Sequence, residues 1–364
     1  MNAVSALAKG VKPLAGELLA ATSLEMANFF GFYDICPFSP DDREIVHLSC
    51  PGDFLRMPAG EKALVRVWTP ETGQYRTVGE TIGWNWQHGA RQRWLKDGSI
   101  LFNDVEDGRQ VARIVTAAGE AVRTLDSAVG ALNPQETLGV AGNYARLAKL
   151  YETYGYAAAS NAHIGAGAED DGLWSIDIAS GSARVLLSYA RLCADLGITY
   201  SDGLFVTHPD FSPSGDQVAF FLIENGHAGT STMRLLVYTF STDTVILVTG
   251  EKASHPAWIS DTELWTWARE SAALKMLTRG KFLSYPGVSL LVRFARKFRG
   301  VARNALLSEG FFIYRLGKES GKTRIATSLL TEDGHYSKHP TANVMLGDTY
   351  PDDSNYLTLL VYSL

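Results

Sequence analysis

The chain has 364 residues, 46% hydrophobic and 20% charged, which suits one large all-β domain or two average ones. A formal net charge of −6 lacks the Lys and Arg surplus that displaces counterions from a phosphate backbone, which excludes a general nucleic-acid binder. Three cysteines, Cys36, Cys50 and Cys193, show no CxxC spacing and exclude a disulfide framework or zinc knuckle, so a reducing, cytoplasmic setting is expected.

In chain order, residues 1–28 read as a short helical arm that packs against the β-rich remainder of the chain. Pro13 and Glu17 interrupt the apolar core a signal peptide needs, and no apolar run approaches the ~20 residues of a spanning helix. From residue 29 a phrase recurs: an aromatic or apolar residue, a Ser-Pro or Asp-Gly turn, then a β-rich run. It begins at Pro37 (PFSPDDREIVHLS), Arg93 (RWLKDGSILFNDV), His208 (HPDFSPSGDQVAFFLI), His255 (HPAWISDTELWTWA) and His339 (HPTANVMLGDTYPDD), with a weaker copy at Glu136 (ETLGVAGNYARL). Each copy reads as an antiparallel hairpin, and strand–turn–strand pairs such as ALVRVWTPETGQYRTV and MRLLVYTFSTDTVILV supply the other half of a four-stranded unit. Units of this kind that must stack to bury their faces predict a β-propeller of six or seven four-stranded blades over residues 29–364. Five blades are nearly complete. The sixth lacks an outer strand, which either the N-terminal segment or a longer natural chain would supply.

The fifth blade is interrupted over residues 271–309 by a basic stretch with Arg293, Arg296, Lys297, Arg299 and Arg303 at helical spacing. Its part 285–306 would either lie on an anionic membrane surface, placing the protein peripherally at the inner membrane, or pack on the propeller or form a self-association face.

Residues that open equivalent strands of different blades fall at similar height and radius, so His208, His255 and His339 are expected to converge at the channel mouth. His88, in WQHGARQRWL, and His335 lie close to such starts. His208, His255, His335, His339 and Asp348 then form a donor set for a divalent metal, Mn, Fe or Zn. Without metal, the same imidazoles serve as general acid and base near neutral pH. The alternative is that each His only hydrogen-bonds within its own blade. Arg93 or Arg146 would hold a uronic carboxylate while His208 or His255 moves the proton, and His88, Gln87, Asn103 and Tyr156 would line an oligosaccharide or polysaccharide site. Asn103-Asp104 reads equally as a turn. No Walker loop, GxSxG elbow or GxGxxG phrase occurs.

The phrases FYDICPFSPDD, HGARQRWLKDGSILFND, THPDFSPSGDQVAFF, SHPAWISDTELW and DGHYSKHPTANVMLGDTYPD together resemble the oligogalacturonate lyase-like propellers, a group similar to the wider TolB-like propellers. The resemblance spans the chain from about Phe30 to its end, outside the insertion. It implies a Mn-type site of His residues and a Gln, with a His and an Arg assisting β-elimination on uronate oligosaccharides. The matching histidines are His208, His255, His335 and His339. Tyr336, Ser337 and Lys338 separate the last two, and no residue matches the metal-binding Gln. The expected function is a lyase or hydrolase on a uronate-containing or lipid-linked oligosaccharide, or else a non-catalytic propeller that binds a glycan or protein.

Overall fold

Runs of aromatic and β-branched residues become strands, and the Ser-Pro and Asp-Gly clusters between them become turns. The computed structural model describes residues 20–22, 25–52, 60–160, 167–225, 231–269, 309–317, 320–325, 330, 332–350 and 357–364. Their strands form six antiparallel sheets taken strictly in chain order. The first is β1 (Ala27–Phe29), β2 (Ile45–Cys50), β3 (Ala63–Thr69) and β4 (Gln74–Thr81). The second is β5 (Arg93–Trp94), β6 (Ile100–Glu106), β7 (Arg109–Val115) and β8 (Ala121–Leu125). The third comprises β9 (Ala131–Leu132), β10 (Leu138–Ala141), β11 (Gly172–Asp177) and β12 (Ala183–Ser188). In the fourth are β13 (Leu204–Phe211), β14 (Gln217–Asn225), β15 (Ser231–Thr239) and β16 (Thr244–Thr249). The fifth holds β17 (Ala253–Ser260), β18 (Glu263–Arg269), β19 (Glu309–Arg315) and β20 (Gly321–Arg324). The sixth has three described strands, β21 (Tyr336–Lys338), β22 (Val344–Asp348) and β23 (Leu359–Ser363).

These are the blades of a β-propeller, six in number. Two α-helices, α1 (Tyr144–Leu150) and α2 (Tyr189–Leu196), interrupt the β pattern among the described residues. No helix there is long and apolar enough to cross a membrane. The chain forms two compact units, Leu18–Leu247 with the first four blades and Val248–Leu364 with the last two.

Stacking explains the burial. On β14, Val218, Phe220 and Leu222 pack into one cluster with Leu204, Val206 and Leu236, while Ala219, Phe221 and Ile223 on the opposite face are buried as well. A strand buried on both faces reads as a continuous apolar run, as VAFFLI does, and each large side chain so buried contributes about 1.5–3 kcal/mol. Outer strands such as β8 and β16 are mostly exposed.

The turn phrase is built the same way in blade after blade. The N–H of Ser39, Leu95, Asn133, Ser212 and His339 donates to the carbonyl of Glu44, Ser99, Leu138, Gln217 and Val344, respectively, at 2.8–3.0 Å. The side chain at that position then accepts turn N–H groups: Ser39 from Arg43 and Glu44, Asn133 from Thr137 and Leu138, Ser212 from Gln217. His339 does likewise, its Nδ1 accepting from Thr341 at 3.2 Å and Ala342 at 2.9 Å. His339-Pro340 is therefore the counterpart of Ser212-Pro213, not of His208-Pro209, which corrects the expected equivalence of the three His-Pro phrases.

Four positions ahead of the turn residue stand Arg91, His208 and His335 in their blades. Arg91 and His208 take the left-handed conformation there, φ +54° and +52°, and His255 does so in the fifth blade at φ +50°. The β13–β14 register shifts between Thr207 and Asp210 and the β17–β18 register between Ser254 and Ala257, so each His is the extra residue of a bulge. A bulge re-aims one side chain out of the sheet's alternation.

Two further expectations change. The end of the helical arm is strand: Ala27–Phe29 pairs with Leu48–Cys50, and residues 1–19 lie outside the described residues. Asn103 and Asp104 form no turn but sit in the middle of β6, paired with Ala112 and Val111. The basic insertion lies outside the described residues except for Glu309, which pairs with Arg269 at its base.

Candidate functional site

In the four-blade unit, Arg91 ahead of the second blade's first strand and the bulged His208 of the fourth blade stand at a charged group and an imidazole pair. Arg91 is buried and grips Asp34 with both terminal nitrogens, at 2.9 and 2.5 Å, while its Nε donates to the Gly130 carbonyl at 2.8 Å. Burial alone would raise the Asp34 carboxyl, but Arg91 outweighs it and holds Asp34 below the ordinary value. Arg93 lies beside this pair, and burial together with the neighbouring Arg91 charge brings its guanidinium down to about 10. Asp210, just past the His208 bulge, is pushed up to about 7 by burial and by the Asp34 charge.

Next to these charges the His88 and His208 rings meet edge to face at 5.0 Å, boxed by Phe32 and Tyr154 at 4.6–5.5 Å. Asn85 aims His88 by accepting the backbone N–H of Gln87 and His88, and Gly31 makes room: at φ +107°, a Cβ there would stand 2.8 Å from the His88 carbonyl. His88 is 4% exposed, and among the described residues neither ring nitrogen has a hydrogen-bond partner. Burial first, and the His208 and Arg91 charges second, hold it neutral, well below the usual imidazole range.

The other expected binding residues take structural positions. Asn103 bridges blades, donating to the Val129 carbonyl and the Tyr156 hydroxyl and accepting the Val129 N–H. Tyr156 stacks flat on Tyr144 at 4.0 Å. Gln87 is exposed on the turn beside His88. Arg146 is committed to packing, with Nε on the Leu204 carbonyl at 2.6 Å, Nη1 facing Asp171 at 3.4 Å and the guanidinium 4.6 Å over the Tyr189 ring.

In the two-blade unit, His255 and His335 form a second group. His255 Nδ1 bonds Asp333 at 2.9 Å, and His335 Nδ1 bonds Asp348 at 3.0 Å. Asp333 is fixed in turn by the Ser254 hydroxyl at 2.7 Å and the Gly334 N–H at 2.8 Å. The rings meet edge to face at 4.4 Å, and the Tyr350 hydroxyl stands 3.5 Å from His255 Nε2. A carboxylate on Nδ1 fixes the tautomer and makes Nε2 the basic nitrogen. Burial, then the neighbouring His255, lowers His335 below the ordinary imidazole value.

His339 lies apart from the His255–His335 pair, because it follows β21 while His335 precedes it. Asp348 Oδ1 takes the backbone N–H of His335 at 2.8 Å and its Nδ1 at 3.0 Å. Among the described residues no three His, Cys, Asp or Glu side chains are arranged to hold a metal ion. Of the donor set expected for manganese, His255 and His335 lie side by side, each with a carboxylate on its Nδ1.

Asp34, Arg91, Asp210, Asp333 and Tyr350 were not anticipated from the sequence. Their signals were there: Asp210 directly follows His208-Pro209, and Asp333 stands in the same Asp-Gly-His phrase as His335.

No protein-family model and no curated protein matches the chain. Solved structures do. An oligogalacturonate lyase in complex with manganese shares 14% identity across 91% of this chain and 74% of its own, with a TM-score of 0.53. An oligogalacturonate lyase from Vibrio parahaemolyticus shares 14% across 93% and 77%, with a TM-score of 0.52. TolB from Acinetobacter baumannii shares 15% across 68% of this chain, at a TM-score of 0.40, and the match spans 50% of that protein. At such identities the likeness is one of fold: the chain is a β-propeller, with six blades among the described residues, similar in fold to the oligogalacturonate lyases.

Proposed function

We propose that this propeller acts on a uronate-containing sugar chain by proton transfer at His255. The observation that carries the reading is the pair of carboxylate-held imidazoles, His255 on Asp333 and His335 on Asp348, in edge contact at 4.4 Å. In an elimination, His255 Nε2 takes the proton beside the uronate carboxylate. The electron pair forms the new C=C bond, the C–O bond to the departing sugar breaks, and the Tyr350 hydroxyl returns a proton to the leaving oxygen. Asp333 stabilises the imidazolium that forms, and His335, kept neutral by burial, adds no opposing charge. The fold shared with oligogalacturonate lyases supports elimination over hydrolysis.

Incubation of the full chain with oligogalacturonates tests this by the ultraviolet absorbance of the unsaturated product, with reducing ends counted for hydrolysis. His255→Gln should lower turnover by about 100-fold or more, the usual worth of a positioned base. Binding without either product would favour the non-catalytic, glycan-binding propeller and sink the acid–base reading.

A further inference from the structure

We infer that Ser254 is a positioning residue for His255: its hydroxyl fixes the Asp333 carboxylate so that the imidazole proton stays on Nδ1 and Nε2 is the basic nitrogen. Neighbours along a strand send their side chains to opposite faces, so Ser254 and His255 would ordinarily not meet the same group. The bulge removes that alternation. The β17–β18 register shifts between Ser254 and Ala257, His255 takes φ +50°, and both side chains reach Asp333.

The carboxylate is held at both oxygens. Oδ1 accepts from His255 Nδ1 at 2.9 Å and from the Gly334 N–H at 2.8 Å, and Oδ2 accepts from the Ser254 hydroxyl at 2.7 Å. Two further bonds anchor the backbone on either side. The Thr266 hydroxyl donates to the Ser254 carbonyl at 2.7 Å, and the Tyr350 N–H donates to the Asp333 carbonyl at 2.8 Å. Without the Ser254 hydroxyl, Oδ2 loses the donor described for it, and the carboxylate can swing about its Cβ–Cγ bond, a torsion with broad wells. The tautomer of an imidazole is set by the bond its other nitrogen makes, so a carboxylate that swings away no longer pins the proton.

The neighbouring His–Asp pair is built without this third member. Asp348 Oδ1 takes both the backbone N–H and Nδ1 of His335, and among the described residues no hydroxyl donates to Asp348. In the fourth blade a hydroxyl residue again directly precedes the bulged histidine: Thr207 Oγ1 stands 2.9 Å from His208 Nδ1. There the hydroxyl meets the imidazole itself, whereas in the fifth blade Asp333 stands between them. Thr207 also shows that a threonine fits the backbone ahead of such a bulge. That His255 acts as a base rests on the proposed function; that Ser254 sets its tautomer does not.

Nitrogen NMR of the full chain with isotope-labelled histidine reads the tautomer directly, the His255 signals being those lost in His255→Gln. His255 should carry its proton on Nδ1 in the unmodified chain and in Ser254→Thr, and should shift toward the Nε2–H form in Ser254→Ala. On oligogalacturonates Ser254→Ala should lower kcat about tenfold with KM within about twofold, as loss of a partner behind the reacting group does, and Ser254→Thr should restore it. Should Ser254→Ala fail to fold, Ser254→Val beside Ser254→Thr keeps the shape and changes only the hydroxyl. A His255 proton on Nε2 in the unmodified chain, the native tautomer in the variants without a hydroxyl, an equal loss in Ser254→Thr, or a raised KM at unchanged kcat would overturn the inference. An unmodified chain that turns over no oligogalacturonate sinks the acid–base reading alone, since the tautomer is read without substrate.

Discussion

Asp210 should make the stability of this protein fall as pH rises through neutrality. Burial and the Asp34 charge raise its carboxyl from the ordinary 3.8 to about 7, so the folded chain holds a proton that the unfolded chain releases. The penalty is absent below about pH 4, where both states are protonated. It grows through the window between the two values and is complete above about pH 7. At about 1.4 kcal/mol for each tenfold change in proton affinity, it reaches about 4 kcal/mol at pH 8 and about 1.5 kcal/mol at pH 5. Water and side-chain relaxation screen these values, which makes them upper figures. Asp210→Asn copies the neutral form, so urea unfolding followed by the buried Trp84 should show a stabilised variant whose advantage grows by about 2–3 kcal/mol between pH 5 and pH 8. The neutral, buried His88 is the same in both proteins and cancels in the difference. An advantage constant across pH, or a variant less stable at pH 8, would refute the placement of Asp210 in a desolvated, acid-rich site.

Arg146→Ala should cost about 3–5 kcal/mol in urea unfolding, because it strands the fully buried Asp171 carboxylate, and adding Asp171→Asn should recover part of the loss. His339→Ala should cost about 1 kcal/mol in thermal melting by opening the β21–β22 turn. His339→Ser should restore most of that, since serine does the same work at Ser39 and Ser212; a metal-binding His339 would not be rescued by serine.

Much of the fold was legible because a propeller repeats itself. The turn phrase and the strand–turn–strand pairs recur, and period and punctuation survive even where identity does not. Register was harder to see. Ser-Pro and His-Pro look like different signals, yet His339-Pro340 occupies the Ser-Pro position because an imidazole Nδ1 can accept turn N–H groups as a hydroxyl does. A single misplaced phrase made His339 look equivalent to His208 and His255 when His335 holds the equivalent position. Arg146 misled for another reason. A buried arginine on Tyr189 and Asp171 has the same letter as one that meets substrate, and only packing separates them. Asp34 and Asp333 were invisible as partners because their contacts, Arg91 and His255, are distant in sequence.

The left-handed backbone at Arg91, His208 and His255 ties these observations together. An ion pair, an aromatic box and an Asp–His pair are three different chemistries, yet each hangs from a residue at φ between +50° and +54° near the start of its blade, at a bulge in the case of His208 and His255. The strain therefore belongs to the blade, which aims one side chain out of the sheet at that point, and sequence changes choose what is aimed. Such a conformation costs an L-residue about 1–2 kcal/mol that glycine does not incur. At most positions alanine is the more stabilising of the two by about 0.5–1 kcal/mol. At position 255 the order should invert, with His255→Gly unfolding at higher urea than His255→Ala, because both lose the same ring and only alanine keeps the strain. Alanine equal to or better than glycine there would mean that the bulge relaxes once its imidazole is gone, and that the Asp333 bond, not the blade, holds the backbone in place.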